Sequence, residues 1–271
     1  MADRRSLWVT LSCSAILLRK VHFENLFAKM RPLKKDTRLV KSLHQKKFRQ
    51  EYGLFIVEGL KMVEEAMNSS FEPIALYSTD DDWVARTPTA MRITNQEMEM
   101  ISALSSPSKH LIVLKQKSSK DIPLNGHVLV LDGISDPGNL GTMIRTAEWF
   151  GFRYVLCTHD CVELYNPKTV QSTMGSLFRM NVRYDQTPDL VSSLALQGYE
   201  LVGAEMNGEN VYQMKFASKT AIVIGSESHG IRPDLKEKLN RSITIPGGGG
   251  AESLNASIAA AVIMSELARR S

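Results

Sequence analysis

"ITIPGGGGAESLNASIAAAV", residues Ile243 to Val262, sets four consecutive glycines between an apolar, strand-like segment and an alanine-rich, helix-like one. Glycine loses more backbone freedom on folding than any other residue, so Gly247 to Gly250 weaken any regular element they interrupt. Either the run is a flexible linker, or backbone there must come very close to something. A helical pattern that resumes within three residues of Gly250 favours close approach.

Working outward, the preceding 120 or so residues alternate between short apolar runs and helical stretches. "HVLVLDGI", "RYVLCT", "YELVGAE", "TAIVIGSE" and "SITIP" are buried-strand candidates, separated by segments such as "TMIRTAEWF" and "KTVQSTMGSLF". This repetition predicts a mostly parallel sheet with helices on both faces. Ligands in such sheets bind at the carboxyl ends of strands. Three strand ends carry unusual loops: "SDPGNLG" after Ile134, "GSESHG" after Ile224, and the tetraglycine after Pro246.

The region from Arg38 to Leu114 also alternates, with "RLVKSLHQKKFRQEYG", "LFIVEG", "LKMVEEAMNS", "PIALYS" and "HLIVLKQ" predicting a small α/β domain whose basic helix lies outside. The polar segment 117–126 has the composition of a linker. The expected organisation is therefore an extension over 1–30, a substrate-binding domain over 31–116, the linker, and a second domain over 127–271.

With 43% hydrophobic residues, 23% charged and a net charge of +4, the chain has the composition of an ordinary globular protein with a mild basic bias. The bias is local: between Arg31 and Lys61, nine basic residues face three acidic ones. Such a stripe is a footprint for a phosphate backbone, although a solvated helix face has the same pattern. Cys13, Cys157 and Cys161 build neither a disulfide framework nor a zinc ligand set, so reduced, structural thiols are expected and no metal. "LWVTLSCSAILL" is too short to span a bilayer and is followed by no clear cleavage site. Residues 1–30 are expected to be an overlong gene model or a disordered leader, with an export or organellar leader as the alternative. A cytoplasmic location without membrane association follows.

"GISDPGNLG" has neither G-x-G-x-x-G spacing nor a Walker lysine and hydroxyl, and the chain lacks H-E-x-x-H and G-x-S-x-G. Common nucleotide-binding and hydrolase classes are thereby excluded. The three loops together instead resemble the SpoU/TrmH family of the SPOUT superfamily. "NLGTMIRTAEWFG" resembles its first motif through Asn139, Gly141, Arg145, Ala147 and Gly151. "VIGSESHGI" resembles the second through Gly225, Glu227 and Gly230, and "ITIPGGGGAESLNASIAAAV" the third through Ile245, Pro246, Ser253, Leu254 and Asn255. "LHQKKFRQEYGLFIVEGLKMVEEA" is similar to the ribosomal-protein-like substrate-binding domain carried by rRNA-modifying members. Gly247 departs from the pattern, since the family usually has an apolar residue after the motif-three proline.

The resemblance implies a carboxyl-terminal deep trefoil knot, a homodimer paired through the last helix, and methyl transfer from S-adenosylmethionine to an RNA ribose 2′-hydroxyl. The RNA is expected to be rRNA. The alternatives are tRNA, a base acceptor, or a non-catalytic ribosome-assembly factor. Catalytic positions carried over are Arg145, Asn139, Glu227, Ser253 and Asn255; cofactor positions are Gly225, Gly230, Ile245 and Leu254. Lys46, Lys47, Arg49 and Arg38 are the expected RNA contacts. The tetraglycine would supply positive φ and close backbone approach to the cofactor. Arg145, effectively always protonated, suits grip on a phosphate better than proton abstraction. Local structural roles stay open for the others: an Asx-type turn for Asn139, an early-helix carboxylate for Glu227, and the cap of the last helix for Ser253, with Asn255 in its first turn. His229 is not assigned a role.

Overall fold

The computed structural model describes residues 37–117 and 124–270. The expectations for residues 1–30 and for most of the linker lie outside the described residues, as do those for Cys13. Two compact units divide between Lys117 and Ser118.

The amino-terminal unit contains α1 (Thr37–Ser42), α2 (Lys46–Tyr52), β1 (Leu54–Glu58), α3 (Leu60–Met67), β2 (Pro73–Ser78), α4 (Asp81–Arg86), β3 (Met91–Arg92), α5 (Asn95–Ile101) and β4 (His110–Lys115). Its sheet runs β1-β4-β2-β3, antiparallel except between β2 and β3. Val40 and Leu43 from the α1 segment and Met98 and Ile101 from α5 pack with Ile56, Tyr77, Leu111 and Val113 of the sheet. Each such fully buried side chain contributes roughly 1.5–3 kcal/mol relative to exposure.

The basic segment is two short helices with a turn between them, and one of its arginines is internal. Arg49 is 2% exposed, and its guanidinium donates to the carbonyls of Leu43 and His44, both at 2.8 Å. Those carbonyls lie in the turn between α1 and α2. Burying a cation is tolerated only when it is so bonded. Arg49 is therefore a buried brace of this turn and not an exposed RNA contact, correcting the sequence expectation, whereas Arg38, Lys46 and Lys47 are exposed.

The second unit contains β5 (Val128–Leu131), α6 (Pro137–Trp149), β6 (Tyr154–Thr158), α7 (Pro167–Thr173), β7 (Asn181–Asp185), α8 (Thr187–Leu196), β8 (Glu200–Asn210), β9 (Thr220–Ile224), α9 (Pro233–Lys236), β10 (Arg241–Thr244) and α10 (Ala256–Arg270). Six parallel strands form the sheet in the order β10-β8-β9-β5-β6-β7. Successive residues of β5, β6 and β9 are all buried, the mark of strands covered on both faces. Val128, Val130, Leu156 and Val223 join Leu190 and Leu194 of α8 in one cluster. On the alternate residues the opposite side is closed, where α10 packs against α6 and β9. All five strands expected from sequence are present. The edge strand β7 was not foreseen, because its residues are half-exposed and lack a continuous apolar run.

Packing demands glycine at several positions, two of them in the motifs. A Cβ on Gly141 would lie 2.5 Å from Ser172 Cβ and 2.6 Å from the Thr169 carbonyl, so α6 and α7 approach too closely for any side chain. A Cβ on Gly225 would lie 2.1 Å from the Gly230 carbonyl carbon. The tetraglycine differs from expectation in its backbone, since none of Gly247 to Gly250 has a positive φ; a Cβ on any of them would meet no protein atom within 4 Å.

Candidate active site

Strand order reverses around β5, the chain moving outward through β6 and β7 before returning to β8 and β9. Loops from the carboxyl ends of β5, β9 and β10 consequently meet over the centre of the sheet, where crevices form in open α/β folds.

The β5 loop leads into α6, whose first turn is held by Asp136. Its carboxylate accepts from the Asn139 amide N–H at 2.8 Å, and Pro137 occupies the first turn. That N–H, with Lys168 beside it, holds the Asp136 carboxyl below its ordinary value. Because Asp136 supplies the cap, the Asn139 side chain is not spent on an Asx turn and reaches outward. Its Nδ2 donates to Glu227 Oε1, and its Oδ1 accepts from Asn255 Nδ2 at 3.2 Å. One side chain from each of the three loops thus joins a single chain of hydrogen bonds.

Glu227 lies in a tight turn and not in a helix. Ser226 and Gly230 close the turn by exchanging backbone hydrogen bonds of 3.1 and 2.9 Å, and Gly230 has φ +67°. Glu227 is exposed. Asn255, not Ser253, precedes the last helix: its Oδ1 accepts from Ser257 N at 2.9 Å and Ser257 Oγ at 2.6 Å. The cap lies two residues later than expected, because Glu252 and Ser253 continue the exposed rim before the chain turns inward at Ala256. Ser253 is exposed and bonds to no described residue.

Arg145 is brought less close. It is six residues beyond Asn139, about 9 Å along the α6 axis and about a third of a turn round it. Arg145 is exposed and bonds to no described residue, so its five donors are available.

A cleft of about 880 Å³ opens beside this cluster, lined by Gly225 and Gly230 of one loop and Ile245, Leu254 and Asn255 of another. All four positions expected to hold a cofactor line this one cavity. Its volume lies in the range of small-molecule sites, and its walls combine Ile224, Ile263 and Ala259 with backbone and a few polar groups. Gly247 to Gly249 form part of the rim.

Sequence reasoning missed the contribution of β8. Its ladder with β10 shifts register, Ser242 pairing with Gly203 and Ile243 with Glu209, so the intervening residues bulge out. They bring Glu205, Met206 and Asn207 to the cleft. Glu205 pairs with Lys236 and accepts from Ser242 Oγ at 2.6 Å. The signal was available, since "YELVGAE" is a strand candidate that ends on a glutamate, Glu205.

Among the described residues, no group of three or more His, Cys, Asp or Glu side chains is arranged to hold a metal ion, and no helix is long and apolar enough to cross a membrane. Cys157 and Cys161 are free and buried.

Comparison with known proteins agrees with this geometry. Residues 126–265 match the SpoU rRNA Methylase family, and residues 34–111 match the MRM3-like substrate binding domain. The 23S rRNA (guanosine(2553)-2′-O)-methyltransferase RlmP of Bacillus subtilis is 30% identical over 235 residues, spanning 84% of this chain and 93% of that protein. The AdoMet-bound rRNA methyltransferase from Sinorhizobium meliloti superposes with a TM-score of 0.79 at 27% identity, over 89% of this chain and 97% of that one. The SpoU methyltransferase AviRb from Streptomyces viridochromogenes, in complex with AdoMet, shares the fold with a TM-score of 0.78 at 24% identity, over 89% and 98%. With more than half its length matched, and with its three motifs meeting at one cleft, the chain belongs to the SpoU rRNA methylase family.

Proposed function

We propose that this protein methylates a ribose 2′-hydroxyl of rRNA, using S-adenosylmethionine. The observation that carries the reading is Asn139 bonded at once to Glu227 and Asn255, beside a cleft lined by the expected cofactor positions. When bound, S-adenosylmethionine supplies an electrophilic methyl group on a sulfonium. The cavity fits such a group: it is large enough, and it offers apolar side chains together with backbone at Gly225, Ile245 and Leu254.

The chain's own residues then align the acceptor. Glu227 Oε2 has no partner among the described residues, so the ribose hydroxyl donates to it, which turns a lone pair of the hydroxyl oxygen toward the cleft. Asn139 holds Glu227 in place and is itself held by Asn255. Arg145 grips the adjacent phosphate in a bidentate pair and stabilises negative charge developing on the oxygen, while the proton passes to Glu227 Oε2 and from there to water. Alignment of this kind accounts for several kcal/mol of barrier reduction.

The amino-terminal unit binds the rRNA through exposed Arg38, Lys46 and Lys47, phosphate contacts that position without specifying sequence. The domain limits remain 31–116 and 127–271. The carboxyl-terminal segment threads as a trefoil knot, a reading supported by the return of α10 from edge strand β10 to α6 and β9. The protein pairs as a homodimer through α10, where Ile258 is 52% exposed beside alanines, and it works in the cytoplasm.

Purified protein incubated with labelled S-adenosylmethionine and separate rRNA and tRNA pools lacking the modification, followed by nucleoside mass spectrometry, tests this. A 2′-O-methylnucleoside in rRNA is expected. A labelled base, a tRNA product, or cofactor binding without transfer to either pool overturns the acceptor, the substrate or the activity in turn.

A further inference from the structure

Arg232 follows the Glu227 turn immediately after Ile231, and nothing in the three motifs gives it a task. It joins three strand ends. Its backbone N–H donates to Asp132 Oδ2 at 2.8 Å and its Nε to Asp132 Oδ1 at 2.5 Å. Its Nη2 donates to both oxygens of Asp160, each at 2.7 Å. Asp132 directly follows β5 and is 2% exposed; Asp160 lies in the loop after β6. Thr158 Oγ1 completes the cluster, donating to Asp160 at 2.6 Å and accepting from the Gly133 N–H at 2.9 Å.

The chain paths make this a branch point. Asp132 also donates its own N–H to the Ile224 carbonyl at 2.9 Å, so the ends of β5 and β9 are tied by backbone as well as by charge. From Asp132 the chain runs seven residues to Asn139. From Arg232 it runs back five residues to Glu227, past the Ser226–Gly230 closure. Two arms leave the same clamp and meet again where Asn139 donates to Glu227. Arginine suits this place, because its planar fork serves two carboxylates at once and stays charged. A lysine is a point charge with the wrong shape.

We propose that Arg232, through Asp132 and Asp160, is a positioning residue that sets the distance between the Asn139 and Glu227 loops and thereby shapes the cofactor cleft. The inference rests on the methyltransferase reading. It gives the clamp a role in cofactor binding and turnover, and none in rRNA binding by the amino-terminal unit.

The test compares the full-length protein with Arg232→Lys, Arg232→Ala and Asp160→Asn. For each, calorimetry gives the Kd for S-adenosylhomocysteine, filter binding gives the rRNA Kd, and melting gives Tm. Turnover gives kcat well below each Tm. Arg232→Ala should weaken cofactor binding about tenfold and lower kcat at least as much. Arg232→Lys should recover part of both, and Asp160→Asn should cost about threefold. rRNA affinity should be unchanged throughout. Should Arg232→Ala fail to fold, Asp160→Asn decides, because Asp160 is half-exposed and its loss leaves the Asp132 pair intact. Lowered Tm with wild-type cofactor Kd and kcat in Asp160→Asn and Arg232→Lys overturns the proposal, as does an equal loss of rRNA affinity. Failure of the wild-type protein to bind the cofactor at all sinks the methyltransferase reading itself, a result distinct from failure of the clamp.

Discussion

Asn255 donates its side-chain amide to Asn139 Oδ1 at 3.2 Å, joining positions 116 residues apart. The same residue caps α10 with its own Oδ1. One amide therefore serves stability with its oxygen and the site with its nitrogen, and the two roles separate by substitution. Asn255→Asp keeps the capping acceptor but sets a carboxylate oxygen against Asn139 Oδ1. Tm should move by only a few degrees, while kcat falls at least tenfold. Asn255→Ala removes both, and loss of the cap adds about 1 kcal/mol of destabilisation. Thermal melts and single-turnover assays on the two variants check this, and equal activity in Asn255→Asp and the wild type refutes it.

Arg145 is exposed and unbonded to any described residue, so its removal should leave the fold intact. Arg145→Ala is expected to lower kcat by at least a hundredfold with Tm and cofactor Kd unchanged. A loss confined to the rRNA KM would assign it to binding alone.

The glycines of the two loop regions should respond in opposite ways. Gly141→Ala drives a methyl into Ser172 and the Thr169 carbonyl and should cost about 1–3 kcal/mol, read as lowered Tm. Gly248→Ala meets nothing within 4 Å at an ordinary φ, so its stability should stay within about 0.5 kcal/mol of wild type.

In the amino-terminal unit, Lys46→Ala and Lys47→Ala should each weaken rRNA binding and reduce the salt slope of log K by about 0.7–0.9, one phosphate contact apiece. Arg49→Ala should instead lower Tm, because it strips two carbonyls of their buried donor. Binding measured across salt concentrations distinguishes the two classes.

Glu266, flanked by Arg269 and Arg270, has its carboxyl lowered from 4.5 to about 2, chiefly by the hydrogen bond from Arg269. Its folded-state value lies below its unfolded one, so its stabilisation is complete above about pH 4.5 and is lost as pH falls towards 2. Glu266→Gln should flatten the fall of Tm with acid across that window. An unchanged Tm profile would show that the helix end is held by the Arg270 bonds to the Met214 and Tyr212 carbonyls alone.

The continuous apolar runs at Val128–Leu131, Tyr154–Thr158 and Thr220–Ile224 were legible as strands because each residue is buried on one face or the other. Helix α5 was missed although Thr94 and Glu97 form a capping box at its start, a local signal that was there to read. The motif residues were also visible, since their side-chain chemistry is written in order along the chain. Their contacts were not. Asn139 meets Glu227 across 88 residues and Asn255 across 116, and Arg232 meets Asp132 across 100. Periodicity and turn chemistry act over a few residues and determine which segments become strands, helices and loops. Strand order determines which loop ends lie together, and it is a property of the whole sheet. The meeting of Asn139 with Glu227 and Asn255, the Arg232 clamp and the bulge that carries Glu205 to the cleft were therefore decided only when the chain closed on itself.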